Sequence, residues 1–147
     1  MIIVEPKKEG IKYIDRKTVY IIIIHNNKII LLNNIKKEYF LVGGGVEKNE
    51  SNINALKREC LEEIGYELCN LKKLFKLQSY EYNSKYGYLN YISDFYIGSL
   101  KDKIKEPVEK EEYVIELSVD EAINILTQNI QRYALKLYKE EIQKNGK

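Results

Sequence analysis

Tryptophan is absent from the 147 residues, histidine and methionine occur once each, and there are only two cysteines and two prolines. The lone histidine, His25, ends an apolar run, and by itself it cannot build a catalytic triad or a zinc site; its expected role is structural. Cys60 and Cys69 show neither metal-ligand spacing nor a framework of pairs, which argues against disulfides and suits a reducing compartment. Cys60 falls within a helical apolar stripe and reads as a small core residue, not a nucleophile. Pro6 and Pro107 are the only prolines, and with no internal repeat and no Gly/Ser tract nothing marks a domain boundary. A surplus of one charge is lacking too. Lys and Arg number 24 against 22 Asp and Glu, a net charge of +2, far from the concentrated positive field that a phosphate backbone requires, so no nucleic-acid partner is expected. The longest apolar run, Val19 to Ile24, is far below the roughly 20 residues that cross a bilayer. Met1 to Lys8 meets Glu5, Lys7 and Lys8 too soon for the core of a signal peptide. No membrane association is expected, and the expected location is cytoplasmic.

What is present suits one ordinary domain over residues 1–147: 44% of the residues are apolar and 31% charged, the balance of a globular chain long enough to bury a core. Thr18 to His25 is a β-branched run, expected as a buried central strand, and Asn26-Asn27 followed by Lys28 to Leu32 completes a hairpin. Tyr39 to Val42 predicts a short strand running into Gly43-Gly44-Gly45, expected as a loop whose backbone approaches a ligand or adopts positive φ. A helix of about three to four turns is predicted from the N-cap Ser51 to the C′ residue Gly65. Tyr66 to Tyr82 and Tyr86 to Leu100 predict strands around a polar turn at Asn83 to Lys85. Lys101 to Glu112 is expected as a charged loop and Tyr113 to Leu117 as the last strand. Ser118 opens a capping box with Glu121, and the helix that follows turns Ala122, Ile123 and Leu126 inward; a second helical pattern runs through Ile130, Tyr133 and Leu137. The sum is a mixed α/β domain.

Between Gly44 and Tyr66 the chain reads GGVEKNESNINALKRECLEEIGY. At about 100° per residue on a helix, Glu59, Glu62 and Glu63 share one face, while Ile53, Leu56, Cys60 and Ile64 gather on the other. Like charges three and four residues apart destabilise a helix by a few tenths of a kcal/mol per pair, roughly, so something should compensate them. Hard divalent cations such as Mg²⁺ or Mn²⁺ would do so, since they prefer carboxylate and carbonyl oxygens and commonly bridge to substrate phosphates. The plain alternative is a solvated acidic face salt-bridged to Arg58.

Gly44, Glu50, Arg58, Glu59, Glu62, Glu63 and Gly65 stand at the offsets of the Nudix box, and the segment resembles it at every fixed charged and glycine position. At roughly 7% per position a given start matches by chance about once in 10⁸, so the resemblance is specific. It implies an α/β/α sandwich with a mixed sheet between helices, and a hydrolase that cleaves a phosphoanhydride in a nucleoside diphosphate derivative. It further implies that Glu59, Glu62 and Glu63, with the Gly43 carbonyl, coordinate Mg²⁺ or Mn²⁺. Arg58 would orient a carboxylate, with Glu50 as its partner at the helix start. The ions would neutralise the diphosphate and acidify the water that attacks phosphorus. Relatives often supply a general base outside the box, where this chain has Glu111 and Glu112; Glu59 can also help to activate the water. The chain departs from the family pattern at Val42, where a proline is usual, and at Asn49, which replaces a common glycine but tolerates left-handed backbone. Neither departure removes a ligand.

The expected substrate is a small nucleotide, a nucleoside triphosphate or a modified one, because no signature of the ADP-ribose, coenzyme A or NADH branches is seen. ADP-ribose or a nucleotide sugar is the alternative within the family, and a non-catalytic nucleotide sensor the alternative of another class. Of the thirteen tyrosines, Tyr13, Tyr20, Tyr39 and Tyr86 are candidates for stacking on a base. Nudix proteins are often dimers, so a homodimer is a further expectation.

Overall fold

The computed structural model describes residues 1–108 and 112–145. The β-branched run forms the middle of β2 (Ile14–His25), and its alternation divides the core in two. Val19, Ile21 and Ile23 face one side of the sheet, Tyr20 and Ile22 the other. A strand buried on both faces must sit centrally. β2 runs parallel to β6 (Gly87–Lys103) and antiparallel to β4 (Tyr39–Gly45). With β1 (Ile2–Ile3), β3 (Lys28–Asn34), β5 (Tyr66–Asn83) and β7 (Glu112–Leu117), the seven-stranded order is β1-β5-β6-β2-β4-β3-β7.

α1 (Asn52–Glu63) covers the first face with Ala55, Leu56 and Cys60. α2 (Val119–Ile125) and α3 (Asn129–Asn145) cover the second with Ala122, Leu126, Ile130 and Ala134. The layering is thus helix, mixed sheet, helices, as the resemblance implied. Among the described residues no helix is long and apolar enough to cross a membrane.

The expected hairpin is present: Asn26 and Asn27, at φ 51° and 63°, join β2 to β3. The paired positive φ values are those of a tight turn that matches strand twist. Ser51 caps α1 through a hydrogen bond from Asn54 N (3.1 Å). Gly65, at φ +77°, ends it by donating to the Cys60 and Leu61 carbonyls. A Cβ on Gly65 would stand 1.9 Å from the Lys105 carbonyl oxygen, so chain crossing as well as conformation demands glycine there. Ser118 and Glu121 form the anticipated capping box of α2.

Two expectations are corrected, and one element is added. Gly43-Gly44-Gly45 is not a loop but the end of β4, paired with Tyr20, Val19 and Thr18; only Gly43 has a positive φ, +144°. Glycines carry no side chain to favour a strand, and it is the ladder from β2 that holds them extended. β6 runs on to Lys103 and β7 begins at Glu112, which shortens the expected loop at both ends. β1 was not anticipated; two residues give no periodicity, and Ile2 and Ile3 become a strand only by pairing with Leu77 and Gln78.

Candidate active site

The acidic edge of α1 is packed under the glycines of β4. Arg58 sits at its centre: Nε donates to Glu50 Oε2 at 2.8 Å, and Nη2 donates to Glu50 Oε1 and to the Gly45 carbonyl, each at 3.0 Å. This two-pronged pair pulls the Glu50 carboxyl down to about 2 and raises the Arg58 guanidinium. The third nitrogen, Nη1, lies 3.6 Å from both Glu59 and Glu62. Arg58 therefore ties the helix start, the glycine strand and two of the three glutamates into one unit. Asn49, at φ +64°, provides the left-handed turn of the intervening loop.

Glu63 Oε1 accepts the Gly43 N–H at 3.0 Å, which fixes the plane of that peptide against α1. Glu59 lies against Gly44 so closely that a Cβ there would stand 1.9 Å from Oε2. Burial first, then the negative charges of Glu62 and Glu112, against the opposing pull of Arg58, push the Glu59 carboxyl up to about 7. A half-buried carboxyl among other carboxylates lacks cationic compensation, and Arg58 supplies only part of it. Among the described residues no three carboxylates, thiols or imidazoles already converge tightly on one point. The fit to a divalent ion rests on donor chemistry: carboxylate oxygens beside a strand whose missing side chains leave a cradle that a single Cβ would fill.

A cleft of about 500 Å³ starts at Gly43, Glu63 and Glu112 and opens where β4 leaves β2 for β3. Glu112 thus reaches the glutamate edge from the start of β7; Glu111 lies outside the described residues. Arg16, on β2, stands between the glutamate edge and the far end of the cleft. Its guanidinium lies 4.3 Å over the Tyr86 ring and close enough to Gly45 for a Cβ there to come within 3.1 Å. Among the described residues it forms no ion pair with a carboxylate.

Of the four tyrosines considered for stacking, Tyr20 and Tyr86 line the cleft. Tyr13 packs edge-on against Tyr80 and Tyr88, and Tyr39 is not part of the lining. His25 hydrogen-bonds Glu116 across strands at 2.6 Å. Cys60 is fully buried, its thiol pushed up to about 12 chiefly by that burial. Sequence reasoning missed Arg16, Asn83, Tyr91 and Gln128, all in the cleft lining. They come from four separate segments, and no local pattern marks them.

The sequence profile of the NUDIX domain matches residues 15–138. No curated protein sequence is significantly similar to the chain. Among solved structures, a NUDIX hydrolase from Nitrosomonas europaea superposes with a TM-score of 0.71 at 18% identity, covering 86% of this chain and 90% of that one. An ADP compounds hydrolase gives 0.68 at 21% identity, covering 89% and 75%. The E. coli dihydroneopterin triphosphate pyrophosphohydrolase gives 0.68 at 16% identity, covering 86% and 97%. At these identities the structural likeness speaks for the fold, while the profile match spans the strands and helices that build the site. The chain belongs to the Nudix family and is a pyrophosphohydrolase of that family.

Proposed function

We propose that this chain hydrolyses a phosphoanhydride in a nucleoside triphosphate or a modified nucleoside triphosphate, using Mg²⁺ or Mn²⁺. The observation that carries the reading is the continuity of the cleft. One cleft is lined by Gly43, Glu63 and Glu112, by Arg16, which among the described residues pairs with no carboxylate and lies over the Tyr86 ring, and by the amides of Asn83 and Gln128. Such a set suits the phosphates and the base of one nucleotide.

Glu59, Glu62, Glu63 and the Gly43 carbonyl would hold the ion. When bound, it supplies charge neutralisation for the diphosphate and acidifies the attacking water. The chain's own residues do the rest. Arg58, fixed by Glu50, holds Glu59 and Glu62 in place. Arg16 takes phosphate oxygens, its guanidinium held flat by Tyr86. Glu112 accepts the proton as the water oxygen attacks phosphorus, and the leaving phosphate departs with the bridging oxygen. Glu111 is the second candidate for that base, and Glu59 a third.

The test is phosphate and pyrophosphate release over nucleoside triphosphates, oxidised nucleoside triphosphates, ADP-ribose and nucleotide sugars, with and without Mg²⁺. Glu63→Gln should lower the rate by more than about 100-fold, beyond the usual cost of disturbing a residue that merely supports a metal ligand. Wild type and variant equally inactive on every substrate would end the proposal.

A further inference from the structure

Side chains take three N–H groups of β4. Tyr39 exchanges two bonds with Thr127, donating its N–H to Oγ1 at 2.7 Å and accepting the Thr127 N–H at 3.0 Å. Two residues on, the Leu41 N–H donates to Gln131 Oε1 at 2.7 Å, and two further on the Gly43 N–H donates to Glu63 Oε1 at 3.0 Å. Alternate N–H groups along a strand ordinarily donate to a neighbouring strand. Here three successive ones go instead to the link between α2 and α3, to α3 and to α1.

Gln131 is fully buried, as are its helical neighbours Ile130, Ala134 and Leu135. A polar group in such surroundings costs free energy unless its bonds are made. Gln131 makes them: besides accepting from Leu41, its Nε2 donates to Gln128 Oε1 at 3.1 Å. A peptide N–H can only donate, so the contact with Leu41 sets which way the amide points. α3 is itself fixed at its start, where the Asn129 and Ile130 N–H groups donate to Glu81. Gln131 Oε1 is therefore a rigid acceptor carried on a helix seated in the core.

Gly43 needs such support. Its φ is +144°, it has no side chain to confine it, and a Cβ there would stand 2.7 Å from the Tyr20 ring. Gln131 reaches it by two routes. One is covalent, through Leu41 two residues before. The other passes through Tyr20, which pairs with Gly43 between β2 and β4 and whose hydroxyl faces the Gln131 amide. We propose that Gln131 is a positioning residue for the Gly43 carbonyl. It lies outside the lining of the cleft, and it sets where that main-chain oxygen stands relative to Glu59, Glu62 and Glu63. The inference rests on Gly43 being a metal ligand, as the proposed function has it.

The test compares Gln131→Met, close in size but without an acceptor, with Thr127→Val, which takes an acceptor from Tyr39 at the far end of the same row. Mn²⁺ binding to the nucleotide-free full chain is read by electron paramagnetic resonance. It should weaken about tenfold or more in Gln131→Met, the scale of losing a group that orients a metal ligand. In Thr127→Val it should match wild type. Steady-state rates should divide in the same way: the Mg²⁺ concentration for half-maximal activity rises in Gln131→Met, while KM at saturating Mg²⁺ holds. Thermal melts of both variants report on folding. Unchanged Mn²⁺ affinity in a folded Gln131→Met, or equal losses in the two variants, would overturn the inference. Should Gln131→Met not fold, the side-chain amide resonances of Gln131 in wild type decide: they should shift as Mg²⁺ saturates the nucleotide-free chain, and unmoved resonances would count against the proposal. Wild type that binds no Mn²⁺ would refute the metal reading of Gly43, and the inference with it.

Discussion

At Gly44 and Gly43 the missing side chains serve different ends, and substitution should separate them. The atom that a Cβ on Gly44 would strike is the carboxylate end of Glu59, which can swing aside. Gly44→Ala should therefore leave the melting temperature nearly unchanged. It should lower kcat/KM by about 10²-fold, the order of loss that follows a displacement of about 1 Å at a reacting centre. On Gly43 the Cβ would stand 2.2 Å from the Val19 carbonyl oxygen, which is backbone, at a φ of +144°. Gly43→Ala should cost about 2 kcal/mol or more of folding stability. Urea midpoints beside steady-state rates distinguish the two, and full activity in Gly44→Ala would show that Glu59 does not act from its present position.

At the scale of elements, α3 depends on a strand for its start. Glu81, on β5, accepts the first N–H groups of α3, from Asn129 at 3.0 Å and Ile130 at 2.9 Å. A carboxylate suits the positive end of a helix, yet burial pushes the Glu81 carboxyl up despite those bonds. Replacing it strands two donors, so Glu81→Ala should cost about 2 kcal/mol. Protection from hydrogen exchange should be lost first at the N-terminal turns of α3, while the β2 amides keep theirs. Equal loss in both would mean that the helix and the sheet open as one unit. The same helix carries Gln131, which ties it to β4 by accepting the Leu41 N–H at 2.7 Å.

For the whole molecule, two carboxyls give pH slopes of opposite sign in separate windows. Glu50, held near 2 by Arg58, contributes stability that is present above the ordinary value of 4.5 and lost as pH falls toward 2. Glu59, raised to about 7, contributes stability that is full below 4.5 and lost as pH rises through 7. Between pH 5.5 and pH 8, roughly, the first no longer operates, and Glu59 acts together with Glu81, whose carboxyl burial also pushes up. Metal-free protein should therefore be less stable at the upper end of that range. Mg²⁺ should restore the loss, because an ion bound only by the folded chain stabilises it. Glu59→Gln should reduce the slope in urea titrations; an unaltered slope would assign it to Glu81 or another group.

The sequence by itself determined the local structure and the acidic edge. The alternation of β2, the Asn26-Asn27 turn, the Ser51 cap and the Gly65 stop are near-neighbour properties, written in propensity, φ and period. The spacing of Glu59, Glu62 and Glu63 follows from helix geometry alone, as does the approach of Arg58 to Glu62 four residues on. Only the tertiary structure decided that the three glycines would be strand and that two residues at the N-terminus would join the sheet. It also decided which tyrosines reach the cleft. Ladders and clefts are made by residues distant in the chain: Arg16, Tyr91 and Gln128 meet because β2, β6 and the start of α3 converge on one face. No repeating pattern in one segment records such a face.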